Sequence, residues 1–151
     1  MSENNPIRVF VTHNFNENED YLRVFEFLES MERFFYLNVS KPDNQPESGG
    51  MDEIKEELIN QIKECEAVII PAVFYMKQND LARFQLDVAE ANEKPIIAIR
   101  PFGGMAESPQ ELVDRVAEHI EWNDREMVDS LKRQARLEDT QRWETIEFTL
   151  D

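Results

Sequence analysis

The sequence predicts an α/β fold with a doubly wound, parallel, five-stranded sheet in flavodoxin-like strand order. Strand-like and helix-like segments alternate about five times along the 151 residues, at the spacing of βα units. Two of the strand-like segments are apolar throughout, which is typical of strands that are buried on both faces of a parallel sheet. The length fits one domain, and 10 Phe, 3 Tyr and 2 Trp supply enough apolar surface to build its core.

Each predicted strand is a short run of β-branched, aromatic or other apolar residues. The first begins just after Pro6, and the second ends at a loop over residues 40–50 (SKPDNQPESGG) that is rich in turn-forming residues. The two fully apolar strands are AVIIPAV and PIIAI, which we expect at the centre of the sheet. The five predicted strands cover residues 7–12, 34–39, 67–73, 95–99 and 119–122.

Helices are predicted between the strands from apolar residues at helical spacing and from capping signals. Asn16 is followed three residues later by Glu19, as in a capping box before the first helix. The strongest helix start combines Ser108 as a cap, Pro109 at the first helical position and Glu111 as the capping-box acid. Two further helices are predicted over residues 54–62 and 80–92, and a last helix is predicted to begin after residue 123.

The last segment of the chain does not follow this alternation of strands and helices. Residues 143–150 (WETIEFTL) place alternate side chains on two different faces, which predicts either an added edge strand or a partner-binding tail. We therefore assign one α/β domain to residues 1–138 and a C-terminal extension to residues 139–151.

The charge of the chain excludes several classes of partner. Acidic residues number 32 and basic residues 16, so the net charge is −16. Such a protein repels the phosphate backbone of nucleic acids and anionic membrane surfaces, whereas a local cationic site can still bind one small acidic ligand. The chain has no apolar run long enough to cross a membrane, and its first residues, MSENNP, are polar. We therefore expect no signal peptide and a cytoplasmic location.

The candidate site lies in the loops that follow the strands, because ligands of open α/β sheets bind beyond the carboxyl ends of the strands. His13 follows the first strand, a position that favours ligand contact, although a solvated surface histidine is the alternative. Together with Lys41, Lys77 and Arg100 it is expected to form a small basic rim that fits a dinucleotide phosphate. The four loops cover residues 12–16, 40–50, 74–80 and 100–104.

Several common catalytic and binding motifs are absent from the sequence. The glycine pairs at residues 49–50 and 103–104 match neither a Rossmann fingerprint nor a Walker loop. Neither histidine has a ligand partner at helical spacing, so no metal site is predicted. Cys65 is the sole cysteine, which excludes an internal disulfide, and we expect it to be packed in the core.

Four motifs occur in a familiar order. RVFVTHNFNENEDYLRVFEFL leads to YLNVSKP, then to AVIIPAVFYMKQNDLARFQLDVAEANEKPIIAIRPFG, and finally to HIEWNDREMVDSLKRQ with its Trp-Asn pair. This series resembles the TIR-like proteins of bacterial Thoeris anti-phage defence over about residues 7–136. In those proteins the first strand ends in Ser-His, the second in a Ser-x-Pro loop, and a site-bearing helix precedes a Lys-Pro-Ile-Ile strand.

The resemblance implies a flavodoxin-like TIR domain that cleaves the nicotinamide–ribose bond of NAD and makes a cyclic ADP-ribose-type signal. The family's catalytic glutamate stabilises an oxocarbenium-like transition state. Counted back from Lys94, that glutamate falls on Gln85, and the tryptophan that usually precedes it falls on Leu81. Gln85 can hydrogen-bond a ribose but carries no negative charge, which lowers the expected rate by on the order of 10²–10³. Asp87 lies about 200° around the helix and cannot simply replace it.

The first hypothesis is a TIR-like signalling or defence domain that binds an NAD-like nucleotide, or assembles with partners, and has weakened catalysis. It requires no cofactor, and its expected partners are a small nucleotide and either further copies of the chain or a defence-system protein. Gln85 is the candidate catalytic position. The expected ligand-binding residues are Thr12, His13, Asn14, Phe15, Ser40, Lys41, Tyr75, Gln85 and Arg100.

Three alternatives stay open at this point. The protein is an active NAD-cleaving enzyme if Asp87 or a neighbouring protomer supplies the carboxylate, or a pure interaction module if residues 143–150 bind a partner. Gln85 is an exposed helix residue if the alignment to the family is wrong by one turn. Deoxyribosyltransferase-like enzymes share the sheet topology and also place a glutamate before a Lys-Pro strand, so Gln85 counts equally against them.

Overall fold

The computed structural model describes residues 1–104 and 106–137, and over these residues it contains one parallel sheet. The strand order is β2-β1-β3-β4-β5, which is the flavodoxin-like order, so the predicted fold class is confirmed. Strand β2 lies on one side of β1 and β3 lies on the other, so the winding reverses between β1 and β3. The strands are β1 (Ile7–Val11), β2 (Tyr36–Asn38), β3 (Ala67–Pro71), β4 (Ile96–Ile99) and β5 (Glu118–Ile120).

Helices cover both faces of the sheet. Helices α1 and α6 pack together on one face, and α2 and α4 pack together on the other. A short 3₁₀ helix, Phe102–Gly104, follows β4. The α-helices are α1 (Glu19–Glu29), α2 (Gly50–Lys63), α3 (Ala72–Lys77), α4 (Asn79–Ala91), α5 (Gln110–Val113) and α6 (Asp124–Arg136).

Strand β3 lies between β1 and β4, and all five of its residues are buried. Ile69 packs in the core on the side of α1 and α6, whereas Val68 and Ile70 pack on the side of α2 and α4. Full burial of such a side chain contributes about 1.5–3 kcal/mol. Because both faces are buried, the strand appears in the sequence as an uninterrupted apolar run.

The chain directly after β3 differs from the prediction. A strand to residue 73 and a loop over 74–80 are wrong, because β3 ends at Pro71 and α3 begins at Ala72. Phe74 and Tyr75 are buried in this helix. An apolar run that passes from a strand into a buried helix has no change of composition at the boundary, so its periodicity does not reveal the helix.

The fourth βα connection also differs from the prediction. Helix α5 spans Gln110–Val113, and Ser108 does not cap it. The Ser108 hydroxyl instead lies 2.7 Å from Nε2 of His119 on β5, because the chain before the helix is extended at Pro109.

No helix among the described residues is long and apolar enough to cross a membrane. The predicted strand or tail at 143–150, and the proposed boundary at 138, lie outside the described residues.

Candidate functional site

A cleft of about 640 Å³ opens beyond the carboxyl ends of β1 and β3, where the winding of the sheet reverses. This is the place where open α/β sheets bind their ligands, and the volume lies in the range of small-molecule sites. The lining comes from the β1–α1 loop, the start of α1, helix α3 and the 3₁₀ helix after β4. The lining residues are Asn14, Asn16, Asn18, Glu19, Asp20, Arg23, Val73, Phe74, Lys77, Gln78 and Phe102.

Two cations and one exposed aromatic ring give this cleft its chemical character. The Arg23 guanidinium lies 3.8 Å from the centre of the Phe102 ring and forms an ion pair with Asp20. Burial raises the pKa of Asp20, although the positive charges of Arg23 and Lys77 oppose that effect. No ion pair engages Lys77 within the part of the chain that the structure describes, although its charge acts on the Asp20 carboxyl.

The β1–α1 loop is held in place by Gln85, which reaches across from α4. The Gln85 Oε1 atom accepts a hydrogen bond from the His13 main-chain N–H at 3.1 Å. Its Nε2 donates to the main-chain oxygens of His13 at 2.9 Å and of Leu81 at 3.2 Å. The Gln85 side chain is completely buried, so the alternative of an exposed helix residue is wrong. The carboxamide therefore serves as a clamp on the loop that lines the cleft.

The ring of His13 is buried and uncharged. Its Nδ1 accepts a hydrogen bond from the Phe15 main-chain N–H at 3.0 Å, so the proton is on Nε2, which donates to Gln61 Oε1 at 2.8 Å. Burial lowers the pKa of His13, against the opposing effects of Gln61 and Glu57. The expected cationic role of His13 in a basic rim is therefore wrong. Phe15 has a φ of 66°, an uncommon conformation for a residue other than glycine, so the loop is strained where it follows His13.

Gln61 on α2 connects this loop to the loop after β2. Its Oε1 also accepts from the Lys41 main-chain N–H at 2.8 Å, and its Nε2 donates to the Lys41 carbonyl at 3.2 Å and to Glu57 at 2.8 Å. Sequence reasoning missed this residue. The available signal was a polar side chain directly beside the core residue Ile62, on the same helix as Leu58.

Ser40 takes part in a second buried network behind the cleft. Its hydroxyl lies 2.9 Å from the hydroxyl of Tyr21, which also accepts a hydrogen bond from the Asn38 side chain at 3.0 Å. Burial raises the pKa of Tyr21. This network joins β2 to α1 and leaves both hydroxyls engaged within the protein.

Among the sequence-predicted residues, Asn14 and the rim residue Lys77 line the cleft. Arg100 forms an exposed ion pair with Glu121 at 2.6 Å, and Lys41 lines a separate cleft beside α2. Thr12, His13, Phe15, Ser40, Tyr75 and Gln85 are buried.

The cleft lining includes two residues, Arg23 and Phe102, that the sequence did not indicate. Arg23 and Phe102 were missed, because an arginine on an amphipathic helix and a phenylalanine in a turn have no distinctive pattern. Asp87 is exposed on α4 and pairs with Arg115 at 2.7 Å, so the structure does not place it with Gln85 against the β1–α1 loop.

Comparison with protein-family models and with curated proteins gives no significant match. The chemistry of the cleft therefore follows from its own residues. Lys77 offers a positive charge, Asn14 and Asn16 offer side-chain amides, and Phe102 offers a flat apolar ring. Such groups suit a ligand that combines an anionic group, hydroxyls and a planar ring.

Proposed function

We propose that this chain is a TIR-like signalling domain of the bacterial anti-phage defence type, which binds an NAD-like nucleotide and does not cleave it efficiently. The observation that carries the proposal is the position of Gln85. Its neutral carboxamide is fully engaged with His13 and Leu81, directly behind the loop that lines the cleft at the β1/β3 reversal.

Binding of a nucleotide is supported by the contrast between the cleft and the rest of the protein. The chain carries a net charge of −16, whereas the cleft lining has two cations, Lys77 and Arg23, that balance its two carboxylates, Glu19 and Asp20. A diphosphate gains from a cation in a partly enclosed site, and ribose hydroxyls pair well with side-chain amides such as those of Asn14 and Asn16. The only hydrogen bonds of the Asn16 amide among the described residues are long, at 3.4 and 3.5 Å to Asn14.

Weak catalysis is supported by the charges around Gln85. Cleavage of the nicotinamide–ribose bond develops positive charge on the sugar, which a nearby carboxylate stabilises. Gln85 supplies none, and Asp87 is held by Arg115 on the exposed face of α4. Asp20 lines the cleft, but its charge is compensated by Arg23.

The test is to incubate the purified protein with NAD and to follow nicotinamide release, while calorimetry measures the binding of NAD and ADP-ribose. We expect binding of both ligands without release of nicotinamide. The Gln85→Glu variant is tested beside the wild type, with Gln110→Glu on α5 as an exposed control. An ionised glutamate cannot donate to the His13 carbonyl and is free to turn toward the ligand, so release by Gln85→Glu alone supports a TIR site that has lost its carboxylate. Substantial turnover by the wild type contradicts the proposal.

A further inference from the structure

We propose that Phe102 is the base-stacking residue of the cleft and that Lys77 is its phosphate-binding residue, so that the ligand is a purine nucleoside phosphate held in one orientation. This inference rests on the proposed function, which requires a nucleotide in the cleft but does not say which residues contact its base and its phosphate.

Phe102 is held by two neighbouring side chains and is still half exposed. The Arg23 guanidinium stacks 3.8 Å from the centre of its ring, and the Trp122 ring meets it edge-on at 5.8 Å. Trp122 is itself packed against Phe27 at 5.4 Å. Although Arg23 and Trp122 hold the ring in this way, Phe102 lines the cleft and remains 50% exposed. A preorganised, half-exposed aromatic ring is the surface on which a nucleobase stacks, and stacking does not require a base-specific hydrogen bond.

The backbone around Phe102 also favours this presentation. Gly103 and Gly104 have φ angles of 88° and 70°, a conformation that other residues adopt only with strain. These two glycines turn the chain directly after Phe102, which itself lies three residues after the end of β4. A purine offers more area to such a ring than a pyrimidine does.

We assign the phosphate end of the ligand to Lys77. It belongs to α3, on the β3 side of the cleft, and no ion pair engages it among the described residues. Arg23 is different, because its charge is paired with Asp20 and its guanidinium packs against the Phe102 ring. Arg23 is therefore a positioning residue for the ring, and Lys77 is the cation that remains for a phosphate.

The test uses NMR titration of the full 151-residue chain with AMP and with its two halves, adenosine and ribose 5-phosphate. The variants are Phe102→Ala and Lys77→Gln, with Phe102→Trp as the conservative replacement. Leu37→Ala, which removes an equally exposed apolar side chain on β2, and Lys63→Gln, which removes a charge at the far end of α2, are the matched controls.

We expect Phe102→Ala to weaken AMP and adenosine about tenfold, as loss of one stacking contact does, and to leave ribose 5-phosphate unchanged. Lys77→Gln is expected to weaken AMP and ribose 5-phosphate but not adenosine, and Phe102→Trp is expected to retain AMP. If Phe102→Ala affects AMP and ribose 5-phosphate equally, or affects neither, the assignment of the base to Phe102 is overturned while the proposed function stands. If the wild type binds neither AMP, ADP-ribose nor NAD, the proposed function itself fails.

Discussion

Gln85 determines the conformation of the residues that line the cleft. Three hydrogen bonds connect its carboxamide to the main chain of His13 and Leu81, and none of its surface reaches solvent. A glutamate at this position could accept from the His13 N–H, but its ionised form could not donate to the His13 carbonyl. The amide is therefore the side chain that satisfies both main-chain groups.

The first prediction concerns the loss of this clamp. Gln85→Leu should lower the free energy of unfolding by about 2–5 kcal/mol, because two buried main-chain groups of His13 lose their partner. Urea unfolding monitored by circular dichroism measures the change. Gln110→Leu, at an exposed position on α5, should change it by less than about 0.5 kcal/mol. Equal effects of the two substitutions would show that Gln85 is not a clamp.

The second prediction concerns His13 and pH. Burial lowers the pKa of His13 below 6.5 in the folded protein, whereas the unfolded chain binds this proton near pH 6.5. The unfolded state thus binds more protons between those values, so the free energy of unfolding should decrease as pH falls below 6.5. The pKa of His119 is also lowered by burial, and it adds to the decrease in the same direction.

Urea unfolding between pH 7.5 and 5 separates the two histidines. The His13→Asn variant keeps an acceptor for the Phe15 N–H and retains His119, so its pH dependence should be shallower than that of the wild type. A variant with the same pH dependence as the wild type would show that His13 does not titrate in this way.

Sequence reasoning at this scale identified His13 and Gln85 by position but not their contacts. The two residues are 72 positions apart, and their pairing depends on how α4 lies against β1. A hydrogen bond between a side chain and a distant main chain leaves no local pattern. Arg23 and Phe102 were missed for the same reason, because their importance arises only from their meeting at 3.8 Å.

At the scale of elements, the N-cap of α1 is not the residue that the sequence predicts. Asn16 was predicted as the cap, but α1 begins at Glu19 and the Asn18 side chain accepts a hydrogen bond from the Tyr21 N–H at 2.9 Å. Asn18 has a tyrosine and not an acid three residues later, so the capping-box pattern did not indicate it. Both asparagines line the cleft, so the choice also determines which amide is left for a ligand.

The third prediction tests this cap. Asn18→Ala should lower the free energy of unfolding by about 1 kcal/mol, because the first turn of α1 loses its side-chain acceptor. Thermal or urea unfolding measures the change. Asn16→Ala should leave stability within about 0.5 kcal/mol of the wild type. The reverse order of effects would place the cap at Asn16.

The strands and the long helices could be predicted from sequence because their apolar periods are strong. The alternation of five strands with helices led directly to the observed β2-β1-β3-β4-β5 sheet. The short helix α3 was missed because Ala72–Lys77 continues the apolar run of β3, and the one start signal, Pro71, offers no capping side chain. Its Lys77 was assigned to a loop, yet it lines the cleft as predicted for the rim.

At the scale of the whole molecule, the net charge is −16, and no Asp, Glu, Lys or Arg among the described residues is buried. Like charges on one compact protein repel one another, and dissolved salt screens that repulsion over about 10 Å at 0.1 M. Ion pairs on the surface, such as Arg100 with Glu121, are weakened by the same screening but contribute little.

The fourth prediction concerns the effect of salt on stability and on ligand affinity. Raising NaCl from about 0.02 to 0.3 M should increase the midpoint of thermal unfolding, because relief of net repulsion outweighs the loss of exposed pairs. Over the same range the affinity for AMP should decrease, because Lys77 attracts phosphate less strongly. Calorimetry measures both trends. A lower midpoint in high salt would show that favourable ion pairs dominate the electrostatics of folding.

We propose that a nucleotide binds in the cleft at the β1/β3 reversal while Gln85 stays hydrogen-bonded to the main chain of His13. A crystal structure of the protein with ADP-ribose tests it most directly. We expect the nucleotide between α1 and α3, in contact with Lys77 and Phe102, and an unchanged Gln85–His13 contact. A nucleotide bound elsewhere on the protein, or a Gln85 side chain that has left His13 to contact the ribose, would contradict it.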